Sequence, residues 1–168
     1  LEDLAAIMPF YERGFAAETC WATLNRDTYH PGVDKAKQLN VGDRPGTHWV
    51  PAECDVSIRP GWFYHASEDA AVKTPAQLLE IYYKSVGRGA DLNLNLPPDR
   101  RGVIHENDVK ALREFRRLLD LTFAKNLAVG AKLTASNTRG GGVDAAFRPA
   151  NVLDDRRESY WATDDAVT

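Results

Sequence analysis

Between Asp55 and Phe123 the chain twice sets a helix-patterned segment behind a β-patterned one, and this alternation restricts its folds more than any other feature. Asp55 to Tyr64 (DVSIRPGWFY) has the β-branched and aromatic character of a strand, interrupted by a turn signal at Pro60-Gly61. Lys73–Gly89 (KTPAQLLEIYYKSVGRG) carries a helix start: Thr74 as N-cap, Pro75 at the first helical position and Gln77 completing a capping box. Leu78, Leu79, Ile81, Tyr82 and Val86 supply its buried stripe, and Gly87 or Gly89 ends it. Leu92, Leu94 and Leu96 then alternate with Asn93 and Asn95, a strand stopped by Pro97-Pro98. A second helix is predicted over about Asp108–Phe123, with Val109, Leu112, Phe115, Leu119 and Phe123 on one face and Arg113, Arg116 and Arg117 in solvent. Strand, helix, strand, helix is the order of an α/β fold with a parallel sheet or barrel.

The first of those strands lies inside the chain's densest chemistry, His48–Asp69 (HWVPAECDVSIRPGWFYHASED). Two tryptophans, two histidines, four carboxylates and Arg59 crowd this one segment. Aromatic faces cover the apolar C–H face of a sugar ring, while carboxylates and imidazoles take its hydroxyls, so the mixture suits a carbohydrate site. A polar loop with structural aromatics fits the same residues. Composition removes other classes. A net charge of −3 and a pI near 5.8 give no basic excess for nucleic acid, and no apolar run is long enough to span a membrane. Cys20 and Cys54 have neither metal-ligand spacing nor a nucleophile's context; they read as two buried thiols or one disulfide.

Outside the alternation the signals are weaker. Gly14, Phe15, Thr19, Trp21 and Leu24 fit a loop leading into a short strand, and residues 31–47 read as a long surface loop. After Lys125 the helical period disappears. Residues 126–168 hold short β-like runs around a Gly140–Gly142 loop and read as the opening strands of an all-β domain. A sandwich normally takes about 100 residues, so this stretch would be its beginning only.

WVPAECDVSIRPGWFYHASED, followed by TPAQLLEIYYKSVGRGADLNLNLPPDRRG, closely resembles the α-L-fucosidases of glycoside hydrolase family 29. The likeness is to the branch that prefers α-1,3/1,4-linked fucose. Glu12–Asp27 (ERGFAAETCWATLNRD) looks like the same family, and residues 126–165 resemble the start of the discoidin-like sandwich that often follows the fucosidase barrel. The resemblance implies residues 1–125 as the C-terminal βα units of a (β/α)8-type barrel and 126–168 as the first strands of the sandwich. It implies fucosylated glycans as ligands, the rest of the barrel as a partner, no cofactor, and a secreted or periplasmic setting.

It also implies a retaining mechanism, in which one carboxylate attacks the anomeric carbon and a second protonates the leaving oxygen, then activates water. The family's acid/base glutamate falls on Glu12, although Phe10-Tyr11 stand where Gly-Asn is expected. Glu53 is the rival: either the acid, its pKa raised by Trp49 and Trp62, or a contact to the leaving sugar from a loop over the barrel's top. Trp62 matches the family's tryptophan near the fucose ring. His65 and Arg59 would donate to sugar hydroxyls or orient a carboxylate, and Trp21 and Trp49 would line the site. His30 and His105 read as surface residues. The nucleophile is an aspartate on a strand well upstream; Asp3 has the wrong context, and a full barrel needs about 250 residues. In the tail, Asp154 and Ser159 match oxygen positions of a structural calcium turn, with Asp155 where glycine is usual; a plain polar turn is the competing reading.

Overall fold

The capping box forms as its residues demand. In the computed structural model, which describes residues 14–27, 41–156 and 158–167, Thr74 Oγ1 accepts from Gln77 N at 3.3 Å and Gln77 Oε1 accepts from Thr74 N at 2.8 Å. Helix α1 (Pro75–Lys84) follows and buries Leu78 and Ile81. It stops before the expected glycines because Ser85 leaves helical geometry and its Oγ donates back to Ile81 O at 2.7 Å. A single 3-10 turn (Val86–Arg88) then ends on Gly89 at φ 82°. That early stop takes Val86 out of the helical period, so it is exposed rather than part of the stripe.

The remaining elements are short strands and one long helix. In chain order, β1 (Thr23–Leu24) pairs antiparallel with β2 (His48–Trp49), and β3 (Glu53–Ser57) pairs parallel with β4 (Asp91–Asn95) across α1. Helix α2 (Glu106–Phe123) comes last. It begins two residues before the predicted start, where Val109 N donates to His105 O at 3.0 Å and Asn107 N to His105 Nδ1 at 3.2 Å.

In β3–β4 the register Cys54↔Leu92, Val56↔Leu94 and Ser57↔Asn95 separates two faces by the period of two. Cys54 is buried with Ala16, Ala52 and Ala90, while Leu94 and Leu96, like Leu112 and Phe115 of α2, pack against the cluster of Ile58, Leu78 and Ala111. Burying such side chains contributes roughly 2 kcal/mol each. The other face carries only polar residues: Glu53, Asp55 and Ser57 on β3, and Asp91, Asn93 and Asn95 on β4. The strand expected over 55–64 ends at Ser57. Ile58 N still reaches Asn95 O at 3.0 Å, but Pro60 has no N–H to continue the ladder. Ser57 Oγ instead donates to Gly61 O at 2.7 Å and turns the chain.

Two compact units emerge, residues 1–122 and 123–168. The first contains all the elements named above except the final residue of α2. The second departs from the strands expected after Lys125. Among its described residues there is no strand, only 3-10 turns at Arg139–Gly142, Ala145–Phe147 and Pro149–Leu153. The Gly-rich run explains the first, since Gly140, Gly141 and Gly142 all adopt positive φ, which no ladder accommodates. Asp164 braces that turn by accepting from Gly140 N at 2.9 Å and Asn137 Nδ2 at 3.1 Å.

Candidate functional site

Parallel pairing puts the carboxyl ends of β3 and β4 side by side, and the turn after β3 carries Trp62. Two polar side chains at the last register pair hold this turn from below. Asn95 Nδ2 donates to Trp62 O at 2.9 Å and to Ser57 Oγ at 3.1 Å, while Ser57 Oγ donates to Gly61 O. Trp62 is 39% exposed, and Phe63 beside it is more so. A half-exposed indole on a fixed backbone is the kind of surface on which an apolar sugar face stacks.

Behind the turn sits a charged anchor. Arg59 is 0% exposed; its Nε donates to Asp108 Oδ2 at 2.9 Å and its Nη1 to Asp69 Oδ1 at 2.9 Å. Nη1 also reaches His65 O at 3.4 Å, and the guanidinium lies 4.7 Å from the Tyr64 ring centre. Burial alone would weaken the Arg59 charge, but its hydrogen bonds to Asp108 and Asp69 outweigh that, and its pKa is raised. The Tyr64 hydroxyl, which donates to Asp69 Oδ2 at 3.4 Å, also has a raised pKa, first through desolvation and then through the Asp69 charge. Lys73 closes the anchor from the other side, its Nζ donating to Ser57 O at 2.6 Å and Arg59 O at 3.4 Å, and burial lowers its pKa. Arg59 therefore spends its charge on the protein's own carboxylates and holds the turn. His65 contributes its carbonyl to this anchor and leaves its ring exposed.

The structure moves Glu53. It opens β3 rather than sitting on a loop beyond the strand ends, and four residues at about 3.3 Å each separate it from Ser57. Its carboxylate lies on the polar face and accepts from Asn93 Nδ2 at 3.1 Å. Trp49 closes β2 instead, and Trp21 lies two residues before β1, its N donating to Val41 O at 2.8 Å. Trp49 is 73% exposed with its backbone paired to Thr23, and the Arg44 guanidinium lies 5.4 Å from the Trp21 ring. Glu12 and His30 lie outside the described residues.

Sequence reasoning missed Asp108, His105 and the two asparagines. Asp108 was legible as a charge in phase with Ala111, Leu112 and Phe115 on the buried stripe of α2, a position that demands a partner. His105 was read as surface, yet its Nε2 lies 3.5 Å from Asp69 Oδ2 and its ring 6.0 Å from Tyr64. In the second unit, Ser159 Oγ donates to Asp154 Oδ2 at 2.5 Å, so the two calcium candidates are turned on each other. That bond, with a further one from Arg156 N, lowers the Asp154 pKa. Asp155 takes φ 56°, the left-handed conformation expected of the glycine it replaces. Among the described residues no cluster of three His, Cys, Asp or Glu gathers to hold a metal, and no helix is long and apolar enough to cross a membrane.

No family model matches the chain. It is 46% identical over 154 residues to the Arabidopsis thaliana protein named α-L-fucosidase 1, covering 92% of this chain and 30% of that one. Among solved structures, SpGH29 superposes with a TM-score of 0.81 at 34% identity, covering 95% of this chain and 34% of its own. The Ruminococcus gnavus GH29 fucosidase in complex with fucose gives 0.77 at 30% identity, covering 97% and 33%. The chain spans about a third of the length of the relatives it matches. By sequence and by fold, these residues match the α-L-fucosidases of glycoside hydrolase family 29 over about a third of their length.

Proposed function

We propose that the chain is the C-terminal barrel portion, with the start of a β-sandwich, of a retaining exo-α-L-fucosidase that releases terminal α-1,3/1,4-linked L-fucose from glycans. The observation that carries this reading is the match over 92% of the chain to a plant α-L-fucosidase, joined to a fold shared with a fucosidase that binds fucose. Trp62 is the platform for the sugar's apolar edge. Glu12 is the acid/base, protonating the glycosidic oxygen as the nucleophile attacks and deprotonating water in the second step. The nucleophilic aspartate lies on a barrel strand outside this chain, and the protein works in a secreted or periplasmic setting. Trp49 contacts the leaving sugar, whereas Glu53, at the far end of β3 from the turn that carries Trp62, neither transfers the proton nor reaches that sugar. Its carboxylate is held on the polar face of the sheet, where it accepts from Asn93 Nδ2 at 3.1 Å.

The test is Glu12→Ala in the full-length protein. Hydrolysis of natural fucosides should fall by about 10²–10⁴-fold, the usual contribution of a proton-transferring side chain. Azide should then partly restore turnover of 4-nitrophenyl α-L-fucoside: that leaving group needs no proton, and azide, already anionic, attacks the fucosyl-enzyme without a general base and leaves as fucosyl azide. Unchanged turnover in Glu12→Ala would remove it from the mechanism. A wild-type protein that binds fucose but releases no nitrophenol would make it a carbohydrate binder instead.

A further inference from the structure

We infer that Asn95 is a positioning residue for fucoside binding, which sets the orientation of Trp62 through its backbone. The inference rests on the reading of Trp62 as the sugar platform. Its basis is how the carboxamide is used. Its Nδ2 donates to Trp62 O at 2.9 Å, within the turn, and to Ser57 Oγ at 3.1 Å, the hydroxyl that holds the turn from the end of β3. The chemistry fixes which end of the amide faces the turn, since a backbone carbonyl can only accept. Ser57 then relays the constraint, because its hydroxyl proton goes to Gly61 O at 2.7 Å while its lone pairs also take Arg59 N at 3.3 Å. Two consecutive carbonyls of the turn, those of Gly61 and Trp62, are thus held by the two side chains of the last parallel register pair, Ser57↔Asn95.

The bond from Asn95 reaches the tryptophan's main chain, so the aim of the ring follows from where its backbone is held. The anchor behind the turn does a different job. Arg59 and its carboxylates act on residues 64, 65 and 69, and so fix where the loop returns rather than how Trp62 faces. Asn95 is also the strand's last residue, at the end where a barrel's sites lie, and the alternation of β4 places its side chain on the polar face. An aspartate there would keep the shape and lose both donors, placing an anion against the Trp62 carbonyl.

A double-mutant cycle in the full-length protein tests this with Asn95→Ala, Trp62→Ala and the pair, read as KM and kcat for 4-nitrophenyl α-L-fucoside and as Kd for L-fucose by calorimetry. Asn95→Ala should raise KM and Kd about tenfold with kcat within about twofold, the pattern of lost uniform binding. Adding it to Trp62→Ala should then change KM by less than about twofold, since the ring it positions is gone. Asn95→Asp, which preserves volume, should match or exceed the Asn95→Ala defect and serves if the alanine variant does not fold. A purely structural role would instead lower the melting temperature without this coupling. Multiplicative KM effects in the cycle, or an Asn95→Asp enzyme with wild-type KM, overturn the inference while leaving the fucosidase reading intact. A wild-type protein that neither hydrolyses the fucoside nor binds fucose overturns both.

Discussion

Asp108→Ala would leave the Arg59 guanidinium sealed in the interior with Asp69 as its remaining carboxylate partner. Both members of the lost pair are 0% exposed and their atoms meet at 2.9 Å, so water cannot replace the missing carboxylate without opening the packing between the turn and α2. Removing one partner of a buried ion pair typically costs about 3–5 kcal/mol, mostly the penalty of the charge left behind. Asp69, itself 28% exposed, still compensates part of that charge, which puts the expectation at the low end, about 3 kcal/mol. Asp108→Asn keeps an oxygen for Nε to donate to and loses only the charge assistance, so about 1.5–2 kcal/mol is expected. Exchanging both residues for apolar ones, Arg59→Met with Asp108→Leu, should return stability to within about 1 kcal/mol of the wild type. That double variant would nevertheless weaken fucoside binding, because His65 O and Asp69 would lose the group that gathers them. Urea unfolding of the full-length protein, followed by tryptophan fluorescence, gives the three stabilities from midpoint and slope. An Asp108→Ala loss below about 1 kcal/mol, or an asparagine variant as damaged as the alanine one, would refute the account of Arg59 as a buried charge with two obligatory partners.

Two further outcomes follow from individual residues. Burial pushes the Cys54 thiol from 9.0 to about 11, with the neighbouring Cys20 adding to the shift. A group whose pKa is raised on folding contributes stability that is complete below its unfolded value and lost as the pH climbs through the folded one. Stability should therefore fall between pH 9 and about 11, and Cys54→Ala should flatten that fall; an identical alkaline slope in the variant would exclude Cys54 as its source. At Asp155, φ 56° favours a residue without Cβ, so thermal stability should rank Asp155→Gly above Asp155→Ala and both above Asp155→Val, with valine costing more than about 1 kcal/mol. A valine variant as stable as the glycine one would contradict the left-handed assignment.

What could be read from the sequence was what neighbours in the chain decide. Thr74, Pro75 and Gln77 lie within one helical turn of each other, so their capping box needs nothing beyond local geometry, and it forms. The Leu92–Asn93–Leu94–Asn95 alternation likewise carries its own two faces. Glu53 and the turn fared differently. DVSI announces a strand, but where it starts depends on pairing with Asp91, 38 positions away in sequence, and that partner adds Glu53 and Cys54 at its head. The anchor is less local still, joining Arg59 to Asp108 across 49 positions. Its trace in the sequence was a violation, not a pattern: an aspartate in phase with the apolar stripe of α2, and an arginine directly after Ile58 at a strand's end. A charge placed where a hydrophobe belongs is either an error of register or one half of a pair. Two such violations in successive parallel βα units, with opposite sign, are best solved together, because each supplies the partner the other requires. By the same logic Asn93 and Asn95 gain meaning only once the register is known. As alternation they are polar positions; as register partners of Asp55 and Ser57 they become the donors that hold Glu53 and Trp62.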